Sequence, residues 1–146
     1  MISVVLLKNI IFYYPNHINL WKNMKRIIFD IDNTLSFTTN GDYKNAEPNI
    51  PLIEKLREYK GKGYEIILST SRNMRTYNSN IGKITAVTLP IIVEWLEKNN
   101  VPYDEIYVGK PWCGHEGFYV DDKAIRPNEF VNLSYNEIKK LTGIKS

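Results

Sequence analysis

Four short apolar runs, each ending in polar or charged residues, constrain the fold of this chain more than any other feature. Each run has the length and composition of a strand buried on both faces of a sheet. The runs are Arg26–Asp30, Tyr64–Ser69, Glu105–Gly109 and Gly117–Asp121. Helical patterns separate several of them, and strands that alternate with helices form a parallel α/β sheet with right-handed crossovers. We therefore expect one central parallel sheet.

Three helices are predicted from caps and apolar periodicity. Asn49 is the predicted cap of the first helix, and Gly61 is its end. Thr88 is the predicted cap of the second helix, with Pro90 in its first turn. A capping box starting at Ser134 opens the third. The side chains assigned to the buried faces of the first two are Leu52, Ile53, Leu56, Tyr59, Ile91, Ile92, Trp95 and Leu96.

Residues 1–23 differ in character from the rest of the chain. Two stretches, Val4–Leu7 and Ile10–Tyr14, have the apolar and β-branched composition of strands, and polar residues interrupt them. Met24 then directly precedes the first long apolar run. We therefore predict an N-terminal extension over 1–23 and a single domain over 24–146.

Composition excludes several classes of protein. A chain of 146 residues with 43% hydrophobic and 24% charged residues has the size and apolar content of one packed domain. The net charge of +3 is mild and shows no clustered basic face, so we expect no nucleic-acid partner. A single cysteine excludes an internal disulfide framework and fits a reducing compartment. Since no apolar run reaches the length of about 20 residues that a membrane helix needs, we expect a cytoplasmic protein without a membrane partner.

The polar residues at the strand ends are the candidate functional residues. Ligands of parallel α/β sheets bind beyond the carboxyl ends of the strands, which meet at one edge. A single Asp-x-Asp pair is also common in turns, but here every strand end is polar while every strand body is apolar. The candidates are Asp30, Asp32, Thr70, Arg72, Lys110, Asp121 and Asp122.

The residue types at these strand ends suit phosphoryl transfer. Asp30 and Asp32 are two residues apart, so an extended backbone points both carboxylates to one side. Clustered carboxylates stay ionised beside a cation, and all-oxygen ligation suits Mg²⁺. Lys110 and the hydroxyl of Thr70 can hold an anion. Acid groups, a cation and an anion clamp together fit phosphoryl transfer, in which a carboxylate can also be the nucleophile.

Four motifs in this chain resemble those of the haloacid dehalogenase superfamily of phosphatases. In order they are Phe29–Leu35, Ile66–Arg72, Lys110–Pro111 and Tyr119–Asp122, and they span residues 25–122. The resemblance implies a Rossmann-like three-layer sandwich with a central parallel sheet and a Mg²⁺-dependent phosphomonoester hydrolase. The stretch 70–130 further resembles small members associated with capsule or surface-polysaccharide biosynthesis, which implies a sugar phosphate or a related metabolite as the substrate.

The resemblance also implies a role for each motif residue. Asp30 would attack phosphorus and become an aspartyl-phosphate, and Asp32 would act as the general acid and base. Thr70 and Lys110 would hold the phosphoryl oxygens. The ligands of Mg²⁺ would be the carboxylate of Asp30, the main-chain oxygen of Asp32, and a fourth-motif acid. Asp121 is the expected direct ligand, with Asp122 acting through water or orienting Lys110.

The spacing of the motifs leaves no room for the cap domain that family members often insert. An open site suits a large substrate or one enclosed by a second subunit, which a homo-oligomer would supply. Arg72 either positions a substrate anion or pairs with an acid beside the site, and Trp112 either lines the pocket against a sugar or packs on a solvent-facing loop.

Three other functions share parts of this pattern. A signalling receiver domain also clusters Asp, Thr or Ser, and Lys, but it places its phospho-accepting Asp mid-chain, where this chain has Ser69–Arg72. A glycosyltransferase could use Asp30 and Asp32 to bind a metal, which leaves Lys110 and Asp121 without roles. A phosphotransferase or mutase on the same fold would pass the phosphoryl group to a sugar hydroxyl.

Overall fold

The computed structural model describes residues 24–145 and the backbone of two short strands that precede them. The other residues of the predicted extension 1–23, and Ser146, lie outside the described residues. In chain order the strands are β1 (Leu6–Leu7), β2 (Ile10–Ile11), β3 (Arg26–Phe29), β4 (Ser36–Phe37), β5 (Glu47–Pro48), β6 (Glu65–Thr70) and β7 (Glu105–Val108), and the helices are α1 (Ile50–Gly61), α2 (Ile81–Lys98), α3 (Pro127–Asn132) and α4 (Tyr135–Thr142).

A parallel sheet in the order β3-β6-β7 forms the centre of the described structure. The strands pair in register, so that Phe29, Leu68 and Ile106 lie side by side on one face. Two short antiparallel pairs accompany the sheet, β1 with β2 and β4 with β5. The predicted α/β class and the first three predicted strands are confirmed, and the described residues hold three parallel strands and four α-helices.

The apolar core lies against one face of this sheet. The sheet contributes Phe29, Ile66 and Leu68 to this core. Alternate residues of a strand point to the same face, so Ile66 and Leu68 lie on the same side of β6. All four helices bury side chains in the same cluster, and the indole N–H of Trp95 donates to the carbonyl of Ala46 at 2.8 Å. The helical side chains in the cluster are Leu52, Ile53, Leu56, Tyr59, Ile92, Trp95, Leu96, Phe130 and Ile138.

The opposite face of the sheet is open in the part of the chain that the structure describes. Ile28 is 68% exposed and Tyr107 is 55% exposed on this face. At its amino end, the guanidinium of Arg26 pairs with Glu65 at 3.1 Å and with Glu105 at 2.8 Å. The helices that a three-layer sandwich would place over this face are not among the described elements.

The predicted fourth strand, Gly117–Asp121, does not form. This segment has no regular secondary structure, and Phe118 and Val120 are 80% and 88% exposed. It folds back on the loop that follows β7, because the hydroxyl of Tyr119 donates to the carbonyl of Pro111 at 2.6 Å. The apolar composition of the segment predicted a buried strand, whereas the segment lies exposed at the surface. Composition expresses a preference for burial and does not specify a pairing partner.

Helix α2 begins seven residues before the predicted cap Thr88, at Ile81. The side chain of Asn80 accepts the N–H of Lys83 at 3.0 Å and caps the helix there. Thr88 is buried inside the helix, where its hydroxyl bonds to the side chain of Asn73 at 2.8 Å. Pro90 therefore lies in the helix interior and not in its first turn. Ile91, which the misplaced start assigned to the buried face, is 37% exposed.

The other helical predictions are confirmed, with one omission. Helix α1 has Asn49 at its N-cap and Gly61 as its last residue, although the Asn49 side chain donates to the carbonyl of Thr34 instead of capping the helix. Helix α4 opens with the predicted capping box at Ser134. The short helix α3 was not predicted. Among the described residues, no helix combines the length and apolarity needed to cross a bilayer.

Candidate active site

The loop after β3 places Asp30 and Asp32 at the carboxyl edge of the sheet. Ile31 lies between them and is fully buried. Its carbonyl accepts the N–H groups of Leu35 at 2.9 Å and Ser36 at 3.0 Å, so the loop closes around this one residue. Because successive side chains of an extended chain alternate in direction, anchoring Ile31 in the core turns both carboxylates away from it.

Lys110 reaches Asp30 across 80 residues of sequence. Its ammonium nitrogen lies 3.2 Å from Oδ1 of Asp30, and its backbone N–H donates to the carbonyl of Thr70 at 3.1 Å. Gly109, with a φ of 86°, makes the left-handed turn between β7 and this lysine. The ends of all three parallel strands therefore meet at one place, as the sequence predicted.

Burial is the largest influence on the pKa of Asp30. Loss of solvation raises the pKa of this carboxyl above its ordinary value, and the negative charge of Asp32 raises it further. The ammonium group of Lys110 lowers it through its charge and its hydrogen bond, without fully offsetting burial. A carboxyl whose environment shifts its pKa in this way is typical of functional sites.

Arg72 binds Asp32 with two of its three guanidinium nitrogens. Nη2 lies 2.7 Å from Oδ1, and Nε lies 3.2 Å from each carboxylate oxygen. Arg72 is 4% exposed, and its guanidinium lies 4.3 Å from the centre of the Tyr43 ring. The third nitrogen, Nη1, is buried without a hydrogen-bond partner. Of the two interpretations of Arg72, the structure shows the pairing with an acid beside the site.

Thr70 completes a continuous set of hydrogen bonds along this edge. It is fully buried, and its hydroxyl oxygen accepts the N–H of Arg72 at 3.0 Å. The bonds run from Asp30 to Lys110, from Lys110 to Thr70, from Thr70 to Arg72, and from Arg72 to Asp32. Five of the predicted site residues are thus joined in one cluster.

Asp121 and Asp122 do not join this cluster. The carboxylate of Asp121 accepts the N–H of Lys123 at 2.7 Å, and the side chain of Asp122 is 87% exposed, 3.9 Å from the ammonium of Lys123. Within the described residues, no group of three or more His, Cys, Asp or Glu side chains is placed to hold a metal ion. The structure therefore brings together two of the four predicted metal ligands, Asp30 and Asp32.

Several aromatic and basic side chains lie around the cluster, and of these sequence reasoning did not single out Arg75. The Tyr119 ring lies 4.3 Å from the ammonium of Lys110, and Arg75 donates to Nε2 of His115 at 3.0 Å. Trp112, for which pocket lining and packing on a solvent-facing loop were both open, is 41% exposed and packs edge-on against His115. The sequence signal for Arg75 was its position, because it lies three residues beyond Arg72 in a polar loop.

The fold and this cluster define an α/β protein that holds an acid pair and two cations at the carboxyl edge of a parallel sheet. No protein-family model matches the chain. A crystal structure from Vibrio cholerae is 57% identical, with a TM-score of 0.80, and the match covers 82% of this chain and 98% of that chain. The chain belongs to the same family as this Vibrio cholerae protein.

Other similarities are more distant. The replication factor C small subunit of Methanocaldococcus jannaschii is 32% identical over 96 residues, which is 62% of this chain and 5% of that protein. A chain of the Pnkp1/Rnl/Hen1 complex is 22% identical, with a TM-score of 0.44, and the match covers 58% of this chain and 28% of that chain. Because the first match covers a small part of its protein and the second superposes poorly, neither supports a statement about function.

Proposed function

We propose that this chain is a phosphomonoester hydrolase of the haloacid dehalogenase type, with a Rossmann-like domain and Asp30 as its nucleophile. The observation that carries the proposal is the contact of 3.2 Å between the ammonium of Lys110 and Asp30, with the backbone N–H of Lys110 bonded to the carbonyl of Thr70. It places a carboxylate, a cation and a buried hydroxyl together from three strand ends. This is the set that nucleophilic phosphoryl transfer needs.

In the first step, a carboxylate oxygen of Asp30 attacks phosphorus as the bond from phosphorus to the leaving oxygen breaks. Lys110 and the hydroxyl of Thr70 hold the phosphoryl oxygens, since a hydroxyl that accepts one hydrogen bond can still donate another. Asp32 gives a proton to the leaving oxygen, which departs as an alcohol. The product on the protein is an aspartyl-phosphate at Asp30.

In the second step, water attacks the aspartyl-phosphate. Asp32 takes a proton from this water, the bond from phosphorus to Asp30 breaks, and inorganic phosphate leaves. Asp32 thereby regains the proton that it gives to the leaving oxygen in the next turnover.

Mg²⁺ is part of the proposal. It usually takes one or two carboxylates from a protein and fills its remaining positions with water and substrate phosphate. The carboxylate of Asp30 and the main-chain oxygen of Asp32 would hold the ion, which would neutralise charge on the phosphoryl group. A role for Asp121 or Asp122 as a further ligand stays a prediction, because their carboxylates lie outside the cluster in the described structure.

The proposed substrate is a sugar phosphate or a related metabolite. The exposed indole of Trp112, two residues beyond Lys110, offers an aromatic surface beside the phosphate-binding residues. A phosphotransferase would form the same intermediate at Asp30 and pass it to a sugar hydroxyl. The two reactions differ in whether phosphate appears in solution or on a second sugar.

The proposal is tested by assaying phosphate release from p-nitrophenyl phosphate and from a panel of sugar phosphates. Release should require Mg²⁺ and fall by at least about a thousandfold in Asp30→Asn, because the nucleophile is lost. The matched control is Glu97→Gln, which removes an exposed carboxylate on α2 that has no part in the site. Acid-quenched wild-type protein should carry one phosphoryl group on Asp30. Activity that survives in Asp30→Asn, or glycosyl transfer from a nucleotide sugar, would overturn the proposal.

A further inference from the structure

Arg75 is an ordered cation without an acidic partner. Its exposed guanidinium donates to Nε2 of His115 at 3.0 Å and lies 5.8 Å from the centre of the Trp112 ring. The rings of Trp112 and His115 meet edge to face, 5.0 Å apart and at 87°. No carboxylate pairs with Arg75 in the part of the chain that the structure describes, whereas Arg26 and Arg72 both have acidic partners.

The three side chains fix one another's positions. A guanidinium can only donate hydrogen bonds, so Nε2 of His115 is the acceptor in this contact. The indole supports both neighbours, one through its contact with the cation and one through the ring edge. Arg75 therefore presents its remaining N–H groups from a defined place, with its charge left for an anion from outside the chain.

This cluster lies next to the candidate active site. Arg75 follows Arg72 by three residues, and Trp112 follows Lys110 by two. Because a chain spans at most about 3.6 Å per residue, the backbone of Trp112 lies within about 7 Å of that of Lys110 and the backbone of Arg75 within about 11 Å of that of Arg72. These separations are comparable to the length of a sugar ring with its substituents.

We propose that Arg75, held by Trp112 and His115, binds a second acidic group of the substrate, and that the chain acts on acidic sugar phosphates. The inference rests on the proposed hydrolase function and narrows its substrate class. The phosphate to be cleaved lies at Lys110 and Asp30, the sugar ring lies along Trp112, and a carboxylate or second phosphate on the sugar binds the guanidinium of Arg75.

The test compares three sugar phosphates that differ in the substituent at one position of the ring. Glucuronic acid 1-phosphate carries a carboxylate where glucose 1-phosphate carries a hydroxymethyl group, and glucose 1,6-bisphosphate carries a second phosphate there. The wild-type protein should prefer the acidic substrates in kcat/KM. In Arg75→Ala this preference should fall by about tenfold, chiefly through KM, since a charge-assisted hydrogen bond is lost. Arg75→Lys should retain part of it.

The matched control is Lys98→Ala, which removes an exposed cation at the far end of α2 and should leave the preference unchanged. An equal preference in Arg75→Ala and in the wild type would overturn the inference. Comparison of the carboxylate with the second phosphate shows which acidic group the guanidinium favours.

Failure of the hydrolase proposal remains distinguishable from failure of this inference. Titration calorimetry with the same sugar phosphates measures binding in Asp30→Asn, whether or not any of them is hydrolysed. Binding of glucuronic acid 1-phosphate that weakens about tenfold when Arg75→Ala is added supports the subsite. Binding that does not change on adding Arg75→Ala refutes it, and activity that survives in Asp30→Asn refutes the nucleophile alone.

Discussion

The guanidinium of Arg72 holds the carboxylate of Asp32 across 40 residues of sequence, with Nη2 2.7 Å from Oδ1. This contact connects the end of β6 to the loop after β3. It is one of two ion pairs at the carboxyl edge, the other joining Lys110 to Asp30. The two pairs fix both carboxylates, so each can be tested for its separate effects on stability and activity.

Replacement of Arg72 by alanine should lower both stability and activity. Its buried guanidinium pairs with Asp32 and lies against the ring of Tyr43, so Arg72→Ala leaves a carboxylate unpaired and a gap beside the ring. We expect the free energy of unfolding to fall by about 2 to 3 kcal/mol in urea denaturation. The free energy of unfolding of Arg72→Lys should lie between those of the wild type and Arg72→Ala, since lysine keeps the charge and loses the two-nitrogen contact.

The control for this variant is Arg75→Ala, which removes an exposed guanidinium and should change the free energy of unfolding by less than about 0.5 kcal/mol. Equal losses in the two alanine variants would contradict the structural role assigned to Arg72.

Asp30→Asn should raise the free energy of unfolding near pH 7, and this increase should be smaller near pH 4. Burial raises the folded-state pKa of Asp30 above its unfolded value. The ionised carboxyl therefore disfavours folding once the pH exceeds the folded pKa, and this effect vanishes below the unfolded pKa of about 4. Urea denaturation of both proteins across this pH range measures the difference.

Asp104 is the comparison for Asp30, because its pKa shifts in the opposite direction on folding. Its hydrogen bond from the ammonium of Lys60, followed by that from the backbone N–H of Ile66, lowers its pKa. Asp104→Asn should therefore destabilise the protein above pH 4, with a loss that shrinks as the pH falls through the lowered folded-state pKa. A destabilisation by Asp30→Asn at pH 7 would show that its bond to Lys110 outweighs its burial.

The fourth-motif acids can be ranked by the Mg²⁺ concentration that activity requires. If Asp121 moves to the edge of the sheet in the working protein, Asp121→Asn should raise the Mg²⁺ concentration for half-maximal activity by about 10- to 100-fold, as for a lost ligand or its support. Asp122→Asn should raise it less. A magnesium titration of p-nitrophenyl phosphate hydrolysis measures both, and values equal to the wild type in both variants would restrict the protein's ligands to Asp30 and Asp32.

The N-cap residue Asn80 provides a test of where helix α2 begins. Asn80→Ala removes the side chain that accepts the N–H of Lys83, so the free energy of unfolding should fall by about 1 kcal/mol. Asn128→Ala is a matched control, because the Asn128 side chain is exposed and caps no helix. If the helix instead began at Thr88, Asn80→Ala would have no more effect than the control.

Local patterns in the sequence predicted the three parallel strands and the residues that meet at their carboxyl ends. Apolar runs with polar ends identified the three parallel strands, because burial on both faces demands such composition and the parallel arrangement brings their carboxyl ends together. Asp30, Asp32 and Lys110 followed from that rule alone. Apolar periodicity also located α1, whose buried face matches the prediction.

Contacts between residues that are distant in sequence could be identified only from the tertiary structure. The pairing of Arg72 with Asp32, the stacking on Tyr43, and the aromatic support of Arg75 depend on which loops become neighbours. The segment 117–121 has the composition of a strand, but in the fold Tyr119 bonds to the loop after β7 and the segment forms no strand. Strand composition expresses a preference for burial, and the whole fold decides which strands pair, because local preferences compete with tertiary contacts.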